Sequence, residues 1–209
     1  MDKCKALVPL VAAVALSACA ATPPPVYRAT LDYDRTDCGM AADTASAISL
    51  LPQKKSSVWT VQRTFATSAP CLKRGEDVAP HMVFELPGEE HAKMVEVGSV
   101  LEVARVLSPK VILLDADGNE TREFQRDQYM FRPGLLSVQF VPQANERYAV
   151  VTVDREPIGE RHDAIVSSTA TSSYYNGFGM SNWTTGQEFN TSRAFSYEGL
   201  VRVMVYRPD

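Results

Sequence analysis

Pro109-Lys110-Val111-Ile112-Leu113-Leu114-Asp115-Ala116-Asp117-Gly118-Asn119 is the stretch from which the fold is read. Four consecutive apolar residues, Val111 to Leu114, lack the alternation of a half-buried strand, and the run is too short for a helix. A run of this kind suits a central strand covered on both faces. Asp117-Gly118 then supplies the turn chemistry that hairpins favour, and Thr121 to Phe124 can return beside the first strand.

Working outward, the two-residue period recurs on both sides. Ser57 to Phe65 places Trp59, Val61 and Phe65 on one face. Met82 to Leu86, Lys93 to Val97 and Ser99 to Val106 follow as short β-rich pieces broken by Pro87-Gly88 and Gly98. Downstream, Leu135 to Val141 and Arg147 to Asp154 read as a further strand pair, and Leu200 to Tyr206 as a closing strand. Only Asp37 to Leu51 has helical spacing, with Met40, Ala41, Thr44, Ala47, Ile48 and Leu51 on one stripe and Pro52 as the stop. The expected architecture is mainly β, an antiparallel β-sandwich or jelly-roll-like domain over residues 37–209 with one short N-terminal helix.

Residues 165–192 carry neither period. The stretch is rich in Ser, Thr, Asn and Gly, with Tyr174, Tyr175, Phe178, Trp183 and Phe189 interspersed. It reads as a long loop, and long loops in compact domains tend to be functional. Tyr174, Tyr175 and Trp183 are the candidate ligand-binding residues, because aromatic rings can stack on sugars or fill a protein interface.

The N-terminus decides the compartment. Lys3 and Lys5 precede an apolar run from Ala6 to Leu16, which ends in Leu16-Ser17-Ala18-Cys19. That is the pattern of a lipoprotein signal peptide over residues 1–18, with Cys19 as the lipidated first residue of the mature chain. A diacylglyceryl anchor holds a protein on a membrane without spanning it. Ala20, rather than Asp, favours the outer membrane by the usual sorting pattern, which gives a periplasmic, outer-membrane-anchored protein. Residues 19–36, with prolines at 23–25, form a lipidated tether.

The formal charge of −4, and the absence of any Lys/Arg cluster, argue against nucleic acid as a partner. The expected contacts are the membrane, through the lipid, and a glycan or an envelope protein. Of four cysteines, Cys4 leaves with the signal and Cys19 takes the lipid. Cys38 and Cys71 are left as a disulfide pair in an oxidising compartment.

No pattern requires catalysis. Asp115-Ala116-Asp117-Gly118-Asn119 begins like a calcium loop, but its glycine comes early and Arg126 stands where a bidentate glutamate belongs. A polar turn accounts for the same residues. His81, His91 and His162 are scattered, no Gly-x-Ser-x-Gly elbow occurs, and Gly177-Phe178-Gly179 lacks the third glycine of a dinucleotide loop. The reading is therefore non-enzymatic, with no catalytic residue, metal or cofactor. A carbohydrate-binding module or a cell-envelope hydrolase are the alternatives.

Pro109-Lys110-Val111-Ile112-Leu113-Leu114-Asp115, then Tyr129-Met130-Phe131-Arg132-Pro133-Gly134 and Arg147-Tyr148-Ala149-Val150-Val151-Thr152, carry a resemblance. So do Ala45 to Leu51 leading to Trp59, and Ser196-Tyr197-Glu198-Gly199-Leu200-Val201-Arg202-Val203 near the end. In that order they resemble the maltose operon periplasmic protein family. The resemblance implies an exported, β-rich, non-enzymatic protein associated with maltose and maltodextrin uptake. It carries over no catalytic residues. The lipobox and the Cys38/Cys71 pair depart from the family pattern.

Overall fold

The computed structural model describes residues 27–208 apart from 89 and 176, with backbone alone at 165–169 and 187–190. The expected signal peptide 1–18, Cys19 and the proline-rich part of the expected tether lie outside the described residues. Among those described, no helix is long and apolar enough to cross a membrane.

Two five-stranded sheets face each other as a β-sandwich. The first runs β1 (Ile48–Ser49), β5 (Met82–Glu85), β12 (Tyr148–Val153), β8 (Pro109–Leu114), β9 (Glu120–Glu123). The second runs β10 (Met130–Arg132), β11 (Leu135–Phe140), β6 (Met94–Val100), β15 (Gly199–Tyr206), β2 (Val58–Phe65). Phe84, Val111, Leu113, Ala149 and Val151 from the first sheet meet Phe65, Val95, Val97, Val138, Phe140, Val201, Val203 and Val205 from the second in one core. Burying apolar area of this kind on both inner faces is the principal force holding the sheets together.

The apolar run is placed as its composition demands. Val111 and Leu113 enter the sandwich core, whereas Ile112 and Leu114 join Val83, Val150 and Leu72 in a second cluster on the outer face. Leu72 lies on the small hairpin of β3 (Cys71–Arg74) and β4 (Asp77–Pro80) that covers this face. The Cys38–Cys71 disulfide fastens the N-terminal segment to that cover. The Asp117-Gly118 turn forms as expected, with Gly118 at φ +86, and β9 returns antiparallel to β8. The Asp115 carboxylate is used within the turn: it accepts the Asp117 and Asn119 amides at 2.9 and 2.8 Å and the Asn119 side chain at 3.0 Å. The Asn119 side-chain bond is the largest cause of its lowered pKa.

Three expectations are corrected. The helix over Asp37 to Leu51 does not form; the segment holds a single 3₁₀ turn at Thr44–Ser46 and the short strand β1. Its backbone groups are taken by neighbouring strands. Gly39 donates to Cys71 and accepts from Lys73, and Leu50 donates to Glu85. Met40 and Leu51, two members of the helical stripe, are exposed at 75% and 51%. Sheet pairing has overridden a weak local propensity. Second, the segments around Leu135–Phe140 and Tyr148–Val153 do not pair with each other; β11 pairs with β6 and β10, and β12 with β5 and β8, in opposite sheets.

The third correction concerns residues 165–192, which are no loop. They lie within β13 (Arg161–Tyr175) and β14 (Met180–Ser196), paired antiparallel from Arg161↔Ala194 to Tyr175↔Met180. At 3.3–3.4 Å per residue these arms extend about 50 Å. A two-stranded ribbon with solvent on both faces needs no apolar alternation, which is why the period was invisible. Its Thr, Tyr and Trp content was the remaining β signal.

Candidate functional site

The hairpin is rooted in the sandwich by its last residues. Ala194, Phe195 and Ser196 pair in parallel with Arg105, Val106 and Leu107 of β7 (Arg105–Leu107). Gly159 donates to the Phe195 carbonyl at 3.0 Å, and Phe195 donates to Glu160 at 2.9 Å. The first described residues are fastened at the same root. Thr30 donates its amide to Ser196 Oγ at 2.8 Å, and the Arg105 guanidinium lies 4.8 Å from the Tyr27 ring centroid. Glu198 accepts from Thr30 Oγ1, from the amide and hydroxyl of Thr67, and from Arg105. Burial pushes the Glu198 pKa upward, but these donors and the Arg105 charge together hold it below its ordinary value. Tyr33 stacks on Tyr197 at 5.5 Å, so residues 27–36, read as the end of the tether, are held against the domain.

Beside this root is a cleft of about 280 Å³. It is lined by Arg126 and Tyr129 ahead of β10, Phe131 on it, Asp154 and Glu160 after β12, and Arg161 and His162 at the foot of β13. The Phe131 and His162 rings stack face to face, nearly parallel, with centroids 3.6 Å apart. Phe131 is 45% exposed, so part of an aromatic surface stays open to solvent. Arg126 pairs with Glu160 at 2.9 Å. Tyr129 gives the cleft a fixed floor: its hydroxyl accepts the Val111 amide at 2.7 Å, and burial drives its pKa upward. The cleft thus combines a partly exposed ring with fixed charged donors and acceptors, the usual composition of a small-ligand site.

The candidate residues read from the sequence lie elsewhere. Strand alternation and the pairs Tyr174↔Ser181 and Ser172↔Trp183 put Tyr174 and Trp183 on the same face of the hairpin as diagonal neighbours. Tyr175 sits on the other face, opposite Met180. Tyr174, Tyr175 and Trp183 are 54%, 69% and 65% exposed, and Phe178 at the tip is fully exposed. His162 and Tyr174 are separated by about 40 Å of strand, so the tip aromatics cannot contribute to the cleft. The hairpin is held locally by a hydroxyl–hydroxyl bond between Thr171 and Thr184 at 3.0 Å and by Ser173 donating to Asn182 at 2.7 Å.

No protein-family model matches the chain, and neither does any curated protein or solved structure.

Sequence reasoning missed the cleft because its residues come from segments far apart in the chain. The one local cue is the aromatic run Tyr129-Met130-Phe131-Arg132, which carries a family resemblance but no binding pattern. The histidines do not converge. His81 is buried, His91 lies 3.5 Å from Glu90, and His162 stacks on Phe131. Among the described residues, no group of three or more His, Cys, Asp or Glu is placed to hold a metal ion.

A second buried polar cluster lies on the outer face of the second sheet. Glu96 accepts hydrogen bonds from Ser137 at 2.5 Å, Gln139 at 3.0 Å and Tyr206 at 3.0 Å, with Arg132 3.8 Å away. Desolvation raises its pKa, but the three donors and Arg132 outweigh it and the net shift is downward. Every partner comes from the same sheet, so the cluster reads as a structural staple between strands.

Proposed function

We propose that this chain is a non-enzymatic accessory lipoprotein, anchored through Cys19 to the periplasmic face of the outer membrane, that binds carbohydrate during maltose or maltodextrin uptake. The observation that carries the carbohydrate part is the cleft at the hairpin root. Phe131 offers an apolar plane to the C–H face of a sugar ring, while Arg126, Asp154, Glu160 and Arg161 offer charged partners to its hydroxyls. The lipobox supports the location, and the Cys38–Cys71 disulfide is compatible with an extracytoplasmic compartment. The resemblance to the maltose operon periplasmic family supplies the sugar class.

Calorimetric titration with maltose through maltoheptaose tests this reading. Binding by the wild type, abolished by Phe131→Ala and retained by Trp183→Ala, is the expected result. Loss in Trp183→Ala alone moves the site to the Tyr174/Trp183 face of the hairpin. Absence of binding across a wider glycan panel removes the carbohydrate reading. New reducing ends released from maltodextrin would replace a binding role with a glycosidase.

A further inference from the structure

The hairpin differs from the edges of the two sandwich sheets. The two sandwich sheets end in β1 and β10, which are two and three residues long, in the charged Glu120-Thr121-Arg122-Glu123 of β9, and in β2, which carries Arg63. Short length and charge are the usual protection of an edge against pairing with another chain. The hairpin has neither. From Ala164 to Gln187 it contains no Asp, Glu, Lys, Arg or Pro. Among the described residues, no strand pairs with the outer edge of β13, and β14 is covered on its outer side only at Ala194 to Ser196, by β7. An isolated two-stranded ribbon is marginally stable in water and gains from a third strand.

The two open edges also match each other. Ser172 and Ser173 of β13, and Ser181, Asn182, Thr184 and Thr185 of β14, are small and uncharged. Thr171 with Thr184, and Ser173 with Asn182, already form cross-strand polar pairs within one chain. We propose that copies of this chain associate through their hairpins, the outer edge of β13 in one copy pairing antiparallel with the outer edge of β14 in the next. The contact repeats the β13–β14 pairing of the monomer, and being head-to-tail it propagates from copy to copy until it closes into a ring. The partner is therefore a second copy of the chain. This contact is independent of what the cleft binds.

Variants of the mature full-length chain, all carrying Cys19→Ala to remove the lipid and keeping the Cys38–Cys71 disulfide, test it with one added free cysteine each. Ala170→Cys and Thr185→Cys chains are mixed and treated with a short bis-maleimide. Covalent dimers that form faster in the mixture than with either variant alone are the expected result, since unlike positions are one strand spacing apart and like positions two. Light scattering of the wild type should give multiples of the monomer mass. An Ala170→Lys/Ser172→Lys variant, which leaves the Thr171–Thr184 bond in place, and a chain whose residues 165–190 are replaced by a short glycine turn, should be monomeric with an unchanged melting midpoint. A wild type that stays monomeric and uncrosslinked overturns the proposal, as do multimers that survive hairpin removal. A monomer that still binds phosphatidylglycerol vesicles through its hairpin after Cys19→Ala also overturns it, in favour of a lipid-docking tip.

Discussion

Loss of the Cys38–Cys71 bond is the perturbation whose size follows most directly from the structure. The bond spans 33 residues, and the chain-entropy relation for a loop of that length gives about 12–13 cal/mol/K, or about 3.7 kcal/mol at 25 °C. A domain of this size loses roughly 2–4 °C of melting midpoint per kcal/mol, so the shift should be about 7–15 °C. The structure adds a local consequence. The bond sits where Gly39 donates to Cys71 and accepts from Lys73, and where β3 lays Leu72 over Ile112, Leu114 and Val150. Urea unfolding of residues 27–208, exported to an oxidising compartment, should compare the wild type with Cys38→Ala/Cys71→Ala. The midpoint should fall and the denaturant slope should rise, because an unfolded chain without the cross-link exposes more surface. The Gly39 and Lys73 amides should exchange faster in the variant, ahead of the amides of β6 and β15. A stability loss under about 1 kcal/mol would refute the argument, since it would mean that the unfolded chain is not held by this loop.

Acid should destabilise the domain in two steps. His81 is buried with Nδ1 unpartnered, and desolvation lowers its pKa below 6.5. The unfolded chain therefore takes up this proton first, and stability falls as pH drops below about 6.5. His81→Gln should remove that step in a pH series of melting midpoints. Glu96 and Glu198, both held below 4.5, contribute stability that is lost only at lower pH and should remain in that variant. Glu96→Gln faces an amide toward donors from Ser137, Gln139 and Tyr206, and should cost about 2–3 kcal/mol by denaturant titration. Tyr129→Phe strips the Val111 amide of its acceptor and should cost about 1–3 kcal/mol. Gly98→Ala would bring a methyl within 2.5 Å of Ser137 Cβ and 2.6 Å of the Leu136 carbonyl, so β6 and β11 must separate, at about 1–3 kcal/mol or more.

The sandwich was legible wherever burial had left a period or a run. Val111 to Leu114, buried on both faces, and Val61 and Phe65, buried on one face, could be placed from the sequence because the core imposes its pattern on the strands that line it. The disulfide was legible by elimination among four cysteines. Where burial imposes no pattern, the reading failed. The hairpin buries neither face of its outer arms, so Ser, Thr and aromatics there looked like a loop. The helix expected at Asp37 to Leu51 failed for the opposite reason. Its spacing was present, but Gly39 and Leu50 use their backbone groups on β3 and β5, and nothing in the segment itself announces those partners.

The same division holds for the site. By itself the sequence determined what local chemistry can write: an apolar central strand, a hairpin turn at Asp117-Gly118, a lipobox ending at Cys19 as an expected anchor, and aromatics near residue 180. Only the tertiary structure decided which of these meet. It separated Tyr174 and Trp183 from Tyr175 across the two faces of a ribbon, and set the three about 33–44 Å of strand from the cleft. It assembled that cleft from Arg126, Phe131, Asp154 and His162, whose neighbours in sequence give no hint of one another. The physical reason is that strand pairing is non-local: register and sheet order bring together residues whose separation along the chain leaves no periodic trace.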